Sequence, residues 1–111
     1  MKGLFRFTRG ERINHPQDFR RAMRYGRKLI SKNFILFIQK NKNGFHRLGI
    51  VVKKEFGSAP FRNKMKRYLR EFFRLNKNLI KGSFDIIILA KKGNMVNRYR
   101  EVEEELRRVL I

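Results

Sequence analysis

Residues 62–71 read RNKMKRYLRE, and the spacing of their side chains decides what the surrounding chain must build. At 3.6 residues per helical turn, Arg62, Lys66, Arg70 and Arg74 fall in one row, with Asn63 and Arg67 beside it. Met65, Leu69, Phe72 and Phe73 fall on the opposite side, flanked by Phe61 and Tyr68. A helix docked through that apolar side presents the basic row as a rigid comb. Guanidinium forks match phosphate oxygens bidentately, so a row of phosphates is the natural ligand. Charge runs on helices are commonly only solvated faces, balanced by neighbours of opposite sign. Here Glu71 is the sole acid between Arg62 and Arg74, and like charges four apart repel. The row therefore points to a polyanion.

The rest of the chain agrees. Its 111 residues carry a formal net charge of +20, and 41% are apolar, with eleven Phe. That suffices for one domain with a real core. The charge is uneven: residues 97–111 contain four Arg and four Glu and sum to zero, so the other 96 residues carry all of the +20. Such a field implies a polyanionic partner and salt-sensitive binding. Phospholipid is the other candidate polyanion, but no apolar run approaches the roughly 20 residues that span a bilayer. The start, MKGLFRFTRG, lacks the apolar core of a secretory signal, and the expected location is cytoplasmic. With no Cys, disulfides, thiol catalysis and Cys-based zinc sites are excluded.

Outward from the basic stretch, residues 1–13 read as a separate basic arm, with mobility the expectation, and residues 14–111 as a single nucleic-acid-binding domain. Asn14 is the expected N-cap of a first helix that has Pro16 in its first turn, Gln17 as capping-box partner and Gly26 as its stop. Phe19, Ala22 and Met23 form its apolar stripe. Strands are expected at Phe34–Ile38 and Leu48–Val52. In the second, Leu48, Ile50 and Val52 suit a core, whereas Gly49, Val51 and Lys53 suit a shallow open surface. Both faces of the first are apolar, so periodicity leaves its buried side open. Ser58 and Pro60 begin the basic helix, which ends by Asn78. Phe84–Ala90 is a further strand, and Asn97 caps a last helix with the stripe Val102, Leu106, Val109 and Leu110. The order α-β-β-α-β-α predicts an α+β fold, a single-domain α/β sandwich.

No catalytic constellation is visible. His15 and His46 are isolated and read as surface or capping residues. Asp18, Glu55, Glu71 and Asp85 are scattered, and Glu101–Glu105 reads as a solvated helix face. The expectation is a binder with no catalytic residue and no metal site of its own.

The segment 47–74, RLGIVVKKEFGSAPFRNKMKRYLREFFR, resembles the bacterial ribonuclease P protein subunit. That family carries R-L-G-x-x-V-x-K-K-x-G-x-A-x-x-R-N-R-x-K-R-x-x-R-E. Arg47, Leu48, Gly49, Val52, Lys54, Gly57, Ala59, Arg62, Asn63, Lys66, Arg67, Arg70 and Glu71 match it without a gap. The resemblance extends over residues 6–111. Lys64 replaces the family's second Arg, and Glu55 replaces the second Lys of its K-K pair.

The resemblance implies an endoribonuclease holoenzyme that removes the 5′ leader of precursor tRNA. Its RNA subunit is the catalyst and holds most of the divalent metal ions (Mg2+), so no cofactor is assigned to the protein. It implies that the helix face of Arg62, Asn63, Lys64, Lys66, Arg67, Arg70 and Arg74 binds the catalytic RNA. A cleft between the first helix and the sheet would hold the leader of precursor tRNA. Family cleft positions map onto Phe19, Met23 and Phe37. Ile35 shares the face of Phe37, and Gly49, Val51, Lys53 and Lys54 are expected to continue the floor. Met23 reads equally as core. The resemblance further implies a left-handed βαβ crossover, against the usual hand. No membrane and no DNA are expected as partners. Strands precede the basic helix where a helix-turn-helix protein would place another helix. A ribosomal or other structural RNA-binding protein is the remaining alternative. It would share the charge but show no leader-dependent binding.

Overall fold

Phe34–Lys40 and Phe84–Ala90 are two strongly apolar seven-residue runs, and they pair antiparallel along their whole length at the centre of one sheet. The computed structural model describes residues 7–93 and 96–111, in the order α1 (Pro16–Tyr25), β1 (Arg27–Ile30), β2 (Phe34–Lys40), β3 (Arg47–Val51), α2 (Ala59–Asn76), β4 (Phe84–Ala90) and α3 (Tyr99–Leu110). The sheet order is β1-β2-β4-β3, with β3 parallel to β4 and the other pairs antiparallel. The β3-α2-β4 unit is thus the parallel crossover that the resemblance concerns. The fold is the expected mixed α/β sandwich with one strand more than the sequence suggested.

That extra strand is β1, sequence RKLI. Two cations followed by two apolar residues show no alternation and give little strand signal. It forms as the edge partner of β2 through a tight turn, where its exposed cations blunt the sheet edge. The turn is pinned from α3. Glu105 accepts from Ser31 Oγ, from Asn33 N–H at 2.7 Å and from Asn33 Nδ2 at 2.7 Å. Glu103 accepts from Asn76 Nδ2 of α2 at 3.3 Å and from Tyr99 Oη within α3 at 2.9 Å. The expected solvated Glu101–Glu105 face is therefore corrected: Glu101 and Glu104 are exposed, whereas Glu103 and Glu105 tie α3 to its surroundings.

The two faces of the sheet carry different layers. Phe34, Leu36, Leu48, Ile86 and Ile88 pack against Met65, Leu69, Phe72 and Phe73 of α2 and Val102 and Leu106 of α3. On the other face Ile87, Ala22 and Ile13 form a smaller cluster, with Phe19, Phe37 and Val51 packed on it. The question left open for β2 is thereby answered: Phe34 and Leu36 are wholly buried, and Ile35 and Phe37 face α1 and are half-buried.

The described part of the arm, from Phe7 onward, is docked. Phe7 meets Phe73 edge-on at 5.2 Å between ring centroids. Ile13 N–H donates to Leu48 O at 3.0 Å, and Arg12 bridges to Leu48. Glu11 is buried and pairs with Lys77 at 2.5 Å, while Thr8 N–H and Oγ donate to the same carboxylate at 2.9 and 3.0 Å. Burial pushes the Glu11 carboxyl up, but the bonds from Lys77 and Thr8 outweigh it and hold the group below its ordinary value. Lys2 and Arg6 of the arm lie outside the described residues.

Several local expectations change. Asn14 does not cap α1; His15 occupies that position without a side-chain bond, and Asn14 Nδ2 donates to Arg9 O at 3.3 Å. Ser58 is the N-cap of α2 but makes no side-chain cap bond, and Arg98 rather than Asn97 precedes α3. His46 is buried, not superficial. Its ring stacks on Phe84 at 5.8 Å, Phe84 N–H donates to Nδ1 at 3.0 Å, and Nε2 lies 2.8 Å from Ile80 O. The Nε2–H tautomer satisfies both contacts.

Candidate RNA interface

The α2 face is built as its periodicity requires. Met65, Leu69, Phe72, Phe73 and Asn76 are buried. Asn63, Arg67 and Arg70 are exposed, and Arg62, Lys64, Lys66 and Arg74 are half-exposed. The row is not uniform. Arg74 Nε donates to Glu71 at 2.6 Å, so its charge is already partnered. Lys64 lies off the row, its Nζ 5.7 Å from the Tyr68 ring centroid, and Arg67 approaches the same ring at 5.9 Å. Arg62 Nε is buried without a hydrogen-bond partner. An unmet donor of that kind costs about 1–3 kcal/mol.

The second surface lies on the α1 side of the sheet. Strand register sets Ile30, Ile35, Leu89 and Val51 in one row across all four strands, and Lys28, Phe37, Ile87 and Gly49 in the next. The second row is the one α1 covers. Gly49 lets Phe19 lie close there, since a Cβ would stand 2.6 Å from Phe19 Cε2. The first row remains an open apolar trough, with Ile30 63% exposed. Lys53 and Lys54 are exposed where it leaves β3, and Lys28 Nζ sits 5.9 Å from the Phe37 centroid. Met23 is exposed on α1, so the structure favours the surface reading over the core one. Gly49 is itself buried under Phe19, which corrects its expected place on an open floor.

Phe19, Ile35, Phe37, Gly49 and Val51 thus gather between α1 and the sheet, with the two lysines at one end, while Met23 stands exposed one helical turn beyond Phe19. Leu89 and Ile30 belong to the same trough but were not anticipated. The alternation of Asp85, Ile87 and Leu89 in β4 held the first; β1 hid the second. Glu55 is exposed, shares a hollow with Lys53, Leu89 and Lys92, and makes no ion pair among the described residues.

One pair of carboxylates that looked scattered converges. Arg47 donates to Asp85 through Nε and Nη2 at 2.8 and 2.6 Å and reaches Asp18 of α1 at 3.5 Å. The Asp85 bonds raise the Arg47 pKa above its already high ordinary value despite partial burial. This clamp links α1 to β3 and β4. No group of three or more His, Asp or Glu able to hold a metal ion occurs among the described residues. No described helix is long and apolar enough to cross a membrane.

A cationic helix face on one side of the sheet and an apolar, lysine-flanked trough on the other mark an α/β domain suited to a polyanionic partner. The comparisons with known proteins make this specific. The family model described as Ribonuclease P matches residues 7–111. The ribonuclease P protein component of Thermotoga maritima is 44% identical over 86 residues, covering 78% of this chain and 74% of that relative. A solved RNase P protein structure from the same organism has a TM-score of 0.80 at 38% identity, covering 90% of this chain and 94% of the other. One from Staphylococcus aureus has a TM-score of 0.80 at 35% identity, covering 90% and 92%. The chain belongs to the ribonuclease P protein family. Membership carries RNA binding and a part in tRNA processing within a ribonucleoprotein.

Proposed function

We propose that the protein binds the catalytic RNA through the α2 face and grips the 5′ leader of precursor tRNA in the trough beside α1. Catalysis rests with the RNA subunit and its divalent metal ions, and the protein acts as a counter-charge in the cytoplasm. Two RNAs that must meet repel each other. A +20 protein lying between them lowers that cost. The observation that carries the reading is that two chemically different surfaces, one on each side of the sheet, meet at its β3 edge. The cationic face suits phosphates; the trough offers Phe37 and Phe19 beside Lys28 and Lys53, a platform on which single-stranded bases stack without sequence preference.

The test is reconstitution. The RNA subunit alone should cleave precursor tRNA slowly at high magnesium and need this protein at low magnesium. Protein freed of RNA by nuclease treatment should not cleave. Correct leader removal by RNA-free protein would overturn the reading. Arg67→Ala should weaken RNA-subunit binding and flatten its salt slope by about one unit, whereas Lys64→Ala should do less.

A further inference from the structure

The two surfaces are joined by a groove of ≈ 340 Å³ at the β3 edge, lined among others by Phe7, Arg12, Phe19, Gly49, Lys66 and Arg70. Phe19 and Gly49 belong to the α1 side, Lys66 and Arg70 to the α2 face, and Phe7 and Arg12 to the docked arm. Three cations converge there, no carboxylate lines the groove, and none of the three makes an ion pair among the described residues. Arg12 is stacked on the Phe7 ring, its guanidinium carbon 4.8 Å from the centroid. Phe7 is held in turn by Phe73, and the arm is held by the Glu11–Lys77 pair and by the bond from Ile13 to Leu48. Arg12 is therefore anchored at its base yet exposed at its head.

We propose that this groove is a nucleotide subsite, holding one nucleotide of the leader as the strand passes from the trough towards α2. Its phosphate lies among Arg12, Lys66 and Arg70, and its sugar and base rest against the edge of Phe19 and the Phe7–Arg12 stack. The size fits, since pockets for small ligands begin at roughly 300 Å³. The chemistry fits as well: planar Arg forks grip a phosphate bidentately, and an apolar wall accepts any base. The arm, through Arg12, becomes part of the substrate site. This inference rests on the proposed leader-binding role of the trough.

The experiment measures binding of reconstituted holoenzyme to precursor tRNA with a single-stranded leader and to mature tRNA, across a salt series. Arg12→Gln should weaken the precursor on the order of tenfold at low salt, the scale of one charge-assisted bond. Its salt slope should fall by about 0.7, the value for one single-strand phosphate. Mature tRNA and the free RNA subunit should bind as before, and Arg12→Lys should restore most of the slope. Melting curves give the folded fraction on which each slope is read, so loss of stability does not imitate the effect.

An unchanged precursor affinity, or an equal loss for mature tRNA or for the RNA subunit, would overturn the subsite. Arg67→Gln and Phe37→Leu run in parallel as tests of the underlying reading. If they weaken the RNA subunit and the leader respectively while Arg12→Gln does nothing, only the subsite fails. If neither acts, the proposed function fails with it.

Discussion

Replacing Gly49 by Ala adds one methyl group at the point where α1 crosses β3. The new Cβ would lie 2.6 Å from Phe19 Cε2 and 3.2 Å from two further ring carbons. Carbon atoms in contact prefer about 3.5–4.0 Å, so the ring must retreat by roughly 1 Å at its near edge. Overpacking of this kind costs about 1–3 kcal/mol. Phe19 is only half-buried and can swing outward, which puts the expected cost near the lower end. For a domain of this size 1 kcal/mol corresponds to roughly 4–5 °C in Tm. The displaced ring also spoils the wall of the trough. The leader-bearing precursor should then bind about three- to tenfold more weakly, the low end of one base–aromatic stack. RNA-subunit affinity should hold, because the α2 comb is untouched. Thermal melts paired with binding of precursor and mature tRNA measure all three quantities. An unchanged Tm would mean that Phe19 does not roof Gly49. A lowered Tm with full leader affinity would remove Phe19 from the leader's path.

Phe37→Leu keeps most of the packing against Ile13, Ala22 and Ile87. It should cost under about 1.5 kcal/mol in stability yet weaken the leader-bearing precursor by about 1–3 kcal/mol, as read by denaturation and binding titrations. Arg70→Gln should reduce the RNA salt slope by about one unit, and Arg74→Gln by clearly less, because Glu71 already partners Arg74; equal effects would contradict that difference. Glu11 has its pKa lowered from 4.5, so its contribution to stability is full above that pH and is lost as pH falls through the lower, folded-state value. Glu11→Gln should remove this acid-side slope in chemical denaturation. It should also cost about 3 kcal/mol or less at neutral pH, the low end for breaking a buried pair, since the two side chains are 10% and 11% exposed. Leu69→Ala, at a fully buried position, should cost about 2–5 kcal/mol in the same assay.

The amino-acid sequence by itself determined the features that repeat locally. The four-residue spacing from Arg62 to Arg74 and the opposed Met65, Leu69, Phe72 and Phe73 dictated a half-buried, half-cationic helix, since helical geometry alone places them. The apolar runs of β2 and β4 and the motif around Arg47–Glu71 carried the fold and the family. Only the tertiary structure decided the long-range pairings. The Arg47 clamp joins Asp18 and Asp85, which are far apart in the chain, and Glu105 closes the β1–β2 turn from the opposite end of the protein. The strand β1 exists because β2 offers it an edge, not because RKLI prefers extension. The described part of the arm, from Phe7, docks because Phe7 finds Phe73 and Glu11 finds Lys77, and no period in the sequence encodes either meeting. Periodicity is a property of neighbours along one chain segment, whereas the trough and the groove arise from register between strands and from the layer that α1 places over them.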